Sequence, residues 1–211
     1  MQKNKLFSRI YLNNDWQFTR EYHDALHTKV VDTSALETVR LPHTTVETPF
    51  NYFDEGIYQY NSAYRRIFKA EESWRGKCVL LTVEAAGHES EVFINGVSVY
   101  THSCGYTAYT VDLAPHLRFG EENVLVIRVD SRETLDQPPF GFVIDYMTYG
   151  GLYREVYLEI KEPSHIKDVF PRVTEVSTAD GLTGDVTLDC GGWGGQPAGH
   201  RGAMELLDEQ G

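Results

Sequence analysis

Apolar and polar positions alternate along most of this chain with a period of two, in short runs divided by turn-forming residues, and helical spacing is scarce. Trp16-Gln-Phe18 reads as a first short strand after the turn-prone Asn13-Asn14-Asp15. Tyr58 to Phe68 reads as a longer one, with Tyr58, Tyr60 and Tyr64 as large side chains. Cys78-Val-Leu-Leu-Thr-Val83 is almost wholly apolar, the pattern of a strand covered on both faces. Glu91-Val-Phe-Ile94 and Val97-Ser-Val-Tyr100 flank Asn95-Gly96, a pair that tolerates positive φ at both central positions of a type I′ turn. A tight hairpin follows from that pair, with a structural role for both residues. Tyr106 to Leu113 alternates again, and Pro115-His-Leu117 is expected as a short helical or looped turn. Asn123 to Val129 is another buried strand, and an extended loop begins at Pro138-Pro139. Leu152 to Ile160 closes the series with Val156, Leu158 and Ile160 on one face. About eight or nine strands with long loops predict an all-β fold, a two-sheet jelly roll.

Pro163 marks a boundary, so the expected domains are 1–161 and 162–211. Beyond it, Ile166 to Phe170, Asp185 to Leu188 and Ala203 to Leu207 read as three strands, and the glycine-rich Gly191 to Gly202 as a loop. That remainder amounts to about half of an immunoglobulin-like sandwich of roughly 100 residues. The final Asp208-Glu-Gln-Gly211 reads as the turn of a hairpin, and a piece of a longer protein is expected.

Composition sets limits on function. The 211 residues are 41% hydrophobic and 24% charged, within the globular range. Acidic residues outnumber basic ones 31 to 19, a formal charge of −12 that repels phosphate backbones and anionic membrane surfaces. Neither a nucleic-acid nor a membrane partner is therefore expected, whereas a neutral ligand fits. No run approaches the roughly 18 apolar residues of a membrane helix. Cys78, Cys104 and Cys190 are odd in number and widely spaced, which suits unpaired thiols in a reducing cytoplasm. The histidine and cysteine spacings match no zinc pattern, and no nucleophile elbow or phosphate loop occurs, so no metal site or cofactor is expected in this chain.

The segment from Phe140 to Val156 carries the candidate chemistry. It sets one acid, Asp145, among aromatic residues just before a double glycine. A carboxylate accepts hydrogen bonds from two hydroxyls while a ring covers the apolar face of a pyranose, so Asp145 is a candidate sugar contact. An Asx turn that fixes its own loop is the other reading of the same residue. Tyr146 and Tyr149 flank it and are candidates either for stacking on a sugar or for filling a seam between domains. His43, in Leu41-Pro-His43, is a candidate for the same cleft or for a turn. Arg154 is expected to pair with an internal acid such as Asp112, and Asp54-Glu55 to be a solvated loop.

Taken in order, seven pieces resemble the amino-terminal sugar-binding domain of glycoside hydrolase family 2, the β-galactosidase and β-glucuronidase group. They are Leu12-Asn-Asn-Asp-Trp-Gln-Phe18, Leu41-Pro-His43, Tyr64-Arg-Arg-Ile-Phe68, Glu91-Val-Phe-Ile-Asn-Gly-Val97, Gly105 to Leu113, Gly120 to Val129 and Tyr149-Gly-Gly-Leu-Tyr-Arg-Glu-Val156. The likeness covers about residues 10 to 161, and the rest is similar to the opening strands of the family's immunoglobulin-like domain. The resemblance implies a galactose-binding-like jelly roll ahead of a (β/α)₈ barrel that holds two catalytic glutamates working by retention. It implies that Asp145 reaches across to bind sugar hydroxyls at that barrel, and that this chain alone hydrolyses nothing. It also implies a homo-oligomer, contacts with the protein's own C-terminal domains, and magnesium or sodium in the barrel. A β-galactoside is the expected ligand, because the loop around Asp145 carries no Lys or Arg to neutralise a glucuronide. A β-glucuronidase or β-mannosidase piece and a stand-alone carbohydrate-binding module are the alternatives.

Overall fold

The computed structural model describes residues 9–51, 54–138, 140–141, 148–177 and 183–193. Its strands are β1 (Arg9–Tyr11), β2 (Trp16–Thr19), β3 (Glu37–Val39), β4 (Asn61–Lys69), β5 (Cys78–Val83), β6 (Glu89–Ile94), β7 (Val97–His102), β8 (Tyr109–Asp112), β9 (Glu122–Asp130), β10 (Val156–Lys161), β11 (His165–Ser177) and β12 (Thr183–Trp193). Two compact units divide the chain, Met1–Ile160 and Lys161–Gly211. The fold is all-β, a β-sandwich whose few helical pieces are short 3-10 turns.

In the first unit a six-stranded sheet, β3-β2-β4-β9-β6-β7, accompanies a four-stranded sheet, β1-β10-β5-β8. Period-two alternation explains the core between them. Trp16, Phe18 and Tyr64 from the larger sheet cluster with Val79, Leu81, Val111 and Val156 from the smaller one. Strand β9 shows why a continuous apolar run means cover on both sides. Leu125, Ile127 and Val129 face the main core, whereas Val124 and Val126 pack with Ala63 and Leu26 of the 3-10 turn Asp24–His27 on the other face. At the centre β4 and β9 pair antiparallel along their whole length, from Asn61 opposite Asp130 to Lys69 opposite Glu122.

The expected hairpin between β6 and β7 is present, with positive φ at Asn95 (52°) and Gly96 (84°). Asn95 does more than turn the chain. Its Nδ2 donates to the His116 carbonyl at 2.9 Å and to Asn123 Oδ1 at 2.8 Å, and its Oδ1 accepts from the Val124 amide at 3.1 Å.

Four strands differ from expectation. Tyr58 precedes its strand, buried at the end of the 3-10 turn Glu55–Ile57, and pairing starts at Asn61. Strands β1 and β3 are three residues each and largely exposed, too short to leave an alternation. In the second unit Gly191 and Gly192 are not loop but strand, since β11 runs far enough to pair Asp168 with Gly191 and Ile166 with Gly192. A strand at Ala203 to Leu207 lies outside the described residues. The second unit is described as the antiparallel ribbon β11–β12.

Candidate functional site, an aromatic cleft on the sandwich loops

The double glycine before β10 is where three loops meet. The Gly87 and Gly151 main chains exchange hydrogen bonds, N–H to carbonyl at 3.0 and 3.3 Å. On the other side the His43 amide donates to the Leu152 carbonyl at 2.8 Å and the Thr45 amide to the Gly150 carbonyl at 3.2 Å. Side chains are excluded from this junction. A Cβ at Gly150 would fall 2.1 Å from Ser131 Oγ, and one at Gly151 2.5 Å from the Tyr64 hydroxyl. Gly151 also sits at φ +101°, a conformation that glycine adopts without the clash a Cβ brings. Ser131 closes the knot by donating to the Gly87 carbonyl at 3.0 Å.

This junction holds residues 148 to 154 along one wall of a cleft of about 550 Å³. Among the described residues the tyrosine rings of Tyr106, Tyr149 and Tyr153 line it, with Gly87 and Gly105 where the backbone itself forms the wall. Among the described lining residues the other polar groups are few: Thr44, Thr148, His88 and Arg154. Tyr149 is half exposed. The Tyr153 hydroxyl donates to the Gly105 carbonyl, which fixes its ring across the cleft. Arg154 lies over the Tyr153 ring, its guanidinium carbon 5.6 Å from the centroid.

His88 is the unusual member. It is 2% exposed, and among the described residues neither ring nitrogen has a hydrogen-bond partner. Burial pushes its imidazole below the ordinary value, against the upward pull of Glu133 and Asp130. Glu133 is itself engaged, accepting from Thr148 Oγ1 at 2.9 Å.

The residues singled out in the sequence fall in different places. Tyr149 lines the cleft. Asp145 and Tyr146 lie outside the described residues. The ring of His43 points into support structure: Nδ1 is 2.8 Å from the Tyr64 hydroxyl, and the ring packs 4.9 Å from Phe18, centroid to centroid. Burial lowers its affinity for a proton, with Glu37 opposing. Among the described residues Arg154 has no acid as a partner. It is exposed at the cleft, and Asp112 instead accepts from the Val79 and Ala114 amides at 3.0 Å each. Asp54 caps its own turn by accepting from the Gly56 amide at 2.8 Å. His88, Tyr106 and Tyr153 were not singled out. The signal for His88 was slight, a polar residue after glycine in the connection between two strands.

Chemically the cleft offers flat apolar faces and sparse hydrogen-bonding groups, the combination that suits a neutral polyhydroxylated ligand. Among its described lining residues there is no carboxylate, so no pair for double displacement is assembled from them. Nor do three His, Cys, Asp or Glu side chains gather as a metal site among the described residues. The three cysteines are free thiols, and no helix among the described residues is long and apolar enough to cross a membrane.

Fold and cleft define a β-sandwich domain with an aromatic cleft among its loops. The chain belongs to the glycosyl hydrolases family 2, sugar binding domain family, whose model matches residues 35–163. A β-galactosidase of Thermoanaerobacter pseudethanolicus is 39% identical over 162 residues, covering 76% of this chain and 22% of that protein. A β-glucuronidase of Bacteroides fragilis is 30% identical over 162 residues, covering 74% of this chain and 21% of that protein. The crystal structure of Bacteroides uniformis β-glucuronidase superposes with a TM-score of 0.69 at 27% identity, covering 81% of this chain and 21% of that one. The chain thus spans about a fifth of the length of these relatives.

Proposed function

We propose that this chain is the non-catalytic amino-terminal part of a retaining glycoside hydrolase, of β-galactosidase type. Its loops supply glycoside contacts to an active site housed in a (β/α)₈ barrel elsewhere in the protein. The observation that carries this reading is an aromatic cleft with hydroxyl-binding groups and no carboxylate among its described lining residues. Such a cleft holds a sugar and leaves bond cleavage to another module. The 39% identity to a β-galactosidase supports the choice of sugar. In this reading Tyr149 and Tyr146 stack on the ring, Asp145 grips hydroxyls, and His43 supports the wall through Tyr64. Magnesium or sodium belongs with the barrel, the free thiols suit a reducing cytoplasm, and the complete protein is a homo-oligomer.

A β-glucuronidase is the second reading, favoured by one observation. Arg154 brings a cation to the cleft, which weakens the argument that the loop around Asp145 cannot neutralise a substrate carboxylate. Assaying the complete protein on aryl β-galactoside and aryl β-glucuronide separates the two. The expected result is turnover of the galactoside with retained configuration, and none by the 211-residue chain alone. Preference for the glucuronide would select the second reading. Millimolar or tighter galactose binding by the isolated chain, with no glycosidase activity in the complete protein, would favour a stand-alone carbohydrate-binding module.

A further inference from the structure

We propose that His88 is a hydroxyl-binding residue of the cleft, its imidazole pairing with one ring hydroxyl of the bound glycoside. The inference rests on the cleft being the glycoside site. Its own support is separate from the aromatic lining. Histidine at 2% exposure with both ring nitrogens lacking a partner among the described residues is an arrangement that folding alone does not favour. A buried polar group left unpaired destabilises the fold. Yet the surroundings hold the ring in place. Its amide donates to the Asp130 carbonyl at 2.9 Å. Gly105 packs so closely that an added Cβ would lie 3.3 Å from Nδ1. His88 is thereby a fixed member of the residues that line the cleft, its ring set just behind the surface.

The chemistry specifies the ligand class. Neutral imidazole carries one donor and one acceptor nitrogen, and a hydroxyl can satisfy either. Burial keeps His88 in that neutral form, with Asp130 and Glu133 pulling the other way. Glu133 accepts from Thr148 and Asp130 from Arg132, and neither carboxylate hydrogen-bonds the ring. A positioned neutral donor–acceptor pair discriminates strongly against a ligand lacking the matching hydroxyl, because the site is then left unpaired.

The test is a double-mutant cycle between His88 and the sugar, run in the complete protein on the aryl glycoside it cleaves. Monodeoxy analogues at each ring position are compared in the wild type, His88→Phe and His88→Gln. For one position, deoxygenation is expected to lower wild-type kcat/KM about tenfold or more, and to cost less than about twofold in His88→Phe. His88→Gln, which keeps a donor and an acceptor, is expected to recover part of the lost rate. If His88→Phe does not fold, His88→Gln and His88→Asn carry the cycle, with the coupling reduced in proportion to the hydrogen bond they lose. Turnover with penalties that simply add at every position would overturn the role of His88 alone. Cleavage of no glycoside by the folded wild type would overturn the reading of the cleft and this inference with it.

Discussion

Arg65 buries its guanidinium on β4 among carbonyl groups. Nε donates to the Leu26 carbonyl at 3.0 Å, Nη2 to those of Thr28 at 2.9 Å and Lys29 at 3.3 Å, and Nη1 to the side-chain oxygen Oε1 of Gln17. Burial lowers its affinity for the proton, yet an arginine keeps its charge and spreads it over a fork of donors that a lysine lacks. Arg65→Met should strip several buried carbonyls of their partner and destabilise the domain by about 2–4 kcal/mol in urea unfolding. A loss below about 0.5 kcal/mol would mean the clamp is dispensable. The histidines make a second residue-scale test. His27, His43 and His88 are each pushed below the ordinary imidazole value first by burial. Unfolded, they titrate near 6.5; folded, they bind the proton only at lower pH. Their contribution is thus complete above the unfolded value and is lost as pH falls through the folded one. The urea midpoint should drop between pH 7.5 and 5.5, and replacing all three by Gln should flatten that slope; an unchanged slope would assign it to other groups.

At the scale of elements, the hairpin shows what a local pattern does and does not reveal. Asn95-Gly96 announced its turn, because positive φ at two successive residues restricts the choice of side chain. It did not announce that Asn95 also ties β9 and the Ala114–His116 turn to that hairpin. Asn95→Gly preserves the turn and removes the ties, and should cost about 1–2 kcal/mol; no measurable loss would reduce Asn95 to its backbone. Strand β9 was legible because both its faces are covered, whereas β1 and β3 were not, being three residues of mainly exposed chain. Gly191 and Gly192 read as loop because glycine disfavours strands, but the register of β11 carried them into pairing. The site was legible in part. Tyr149 and the double glycine stood out as a motif, while the close approach to Ser131 and Tyr64 that requires those glycines is a long-range fact. His88 escaped for the same reason: its isolation from partners depends on loops far apart in the chain.

At the scale of the whole molecule, the two units differ in what sustains them. Met1–Ile160 holds a sandwich core. In the second unit Ile166, Phe170 and Val173 of β11 are 59–65% exposed, and a two-stranded ribbon by itself is marginally stable in water. A formal charge of −12 keeps the surface anionic, which favours a neutral ligand over a phosphorylated one. These features are compatible with the proposed role of holding a sugar for chemistry performed by a neighbouring module. The most direct measurement of that claim is kcat/KM of the complete protein on an aryl β-galactoside, wild type against Asp145→Asn, with thermal melting as the control for folding. A carboxylate gripping hydroxyls makes charge-assisted bonds of about 1.5–3 kcal/mol each, so a fall of about tenfold or more is expected without a change in melting. Undiminished kcat/KM in a folded Asp145→Asn protein would contradict the account.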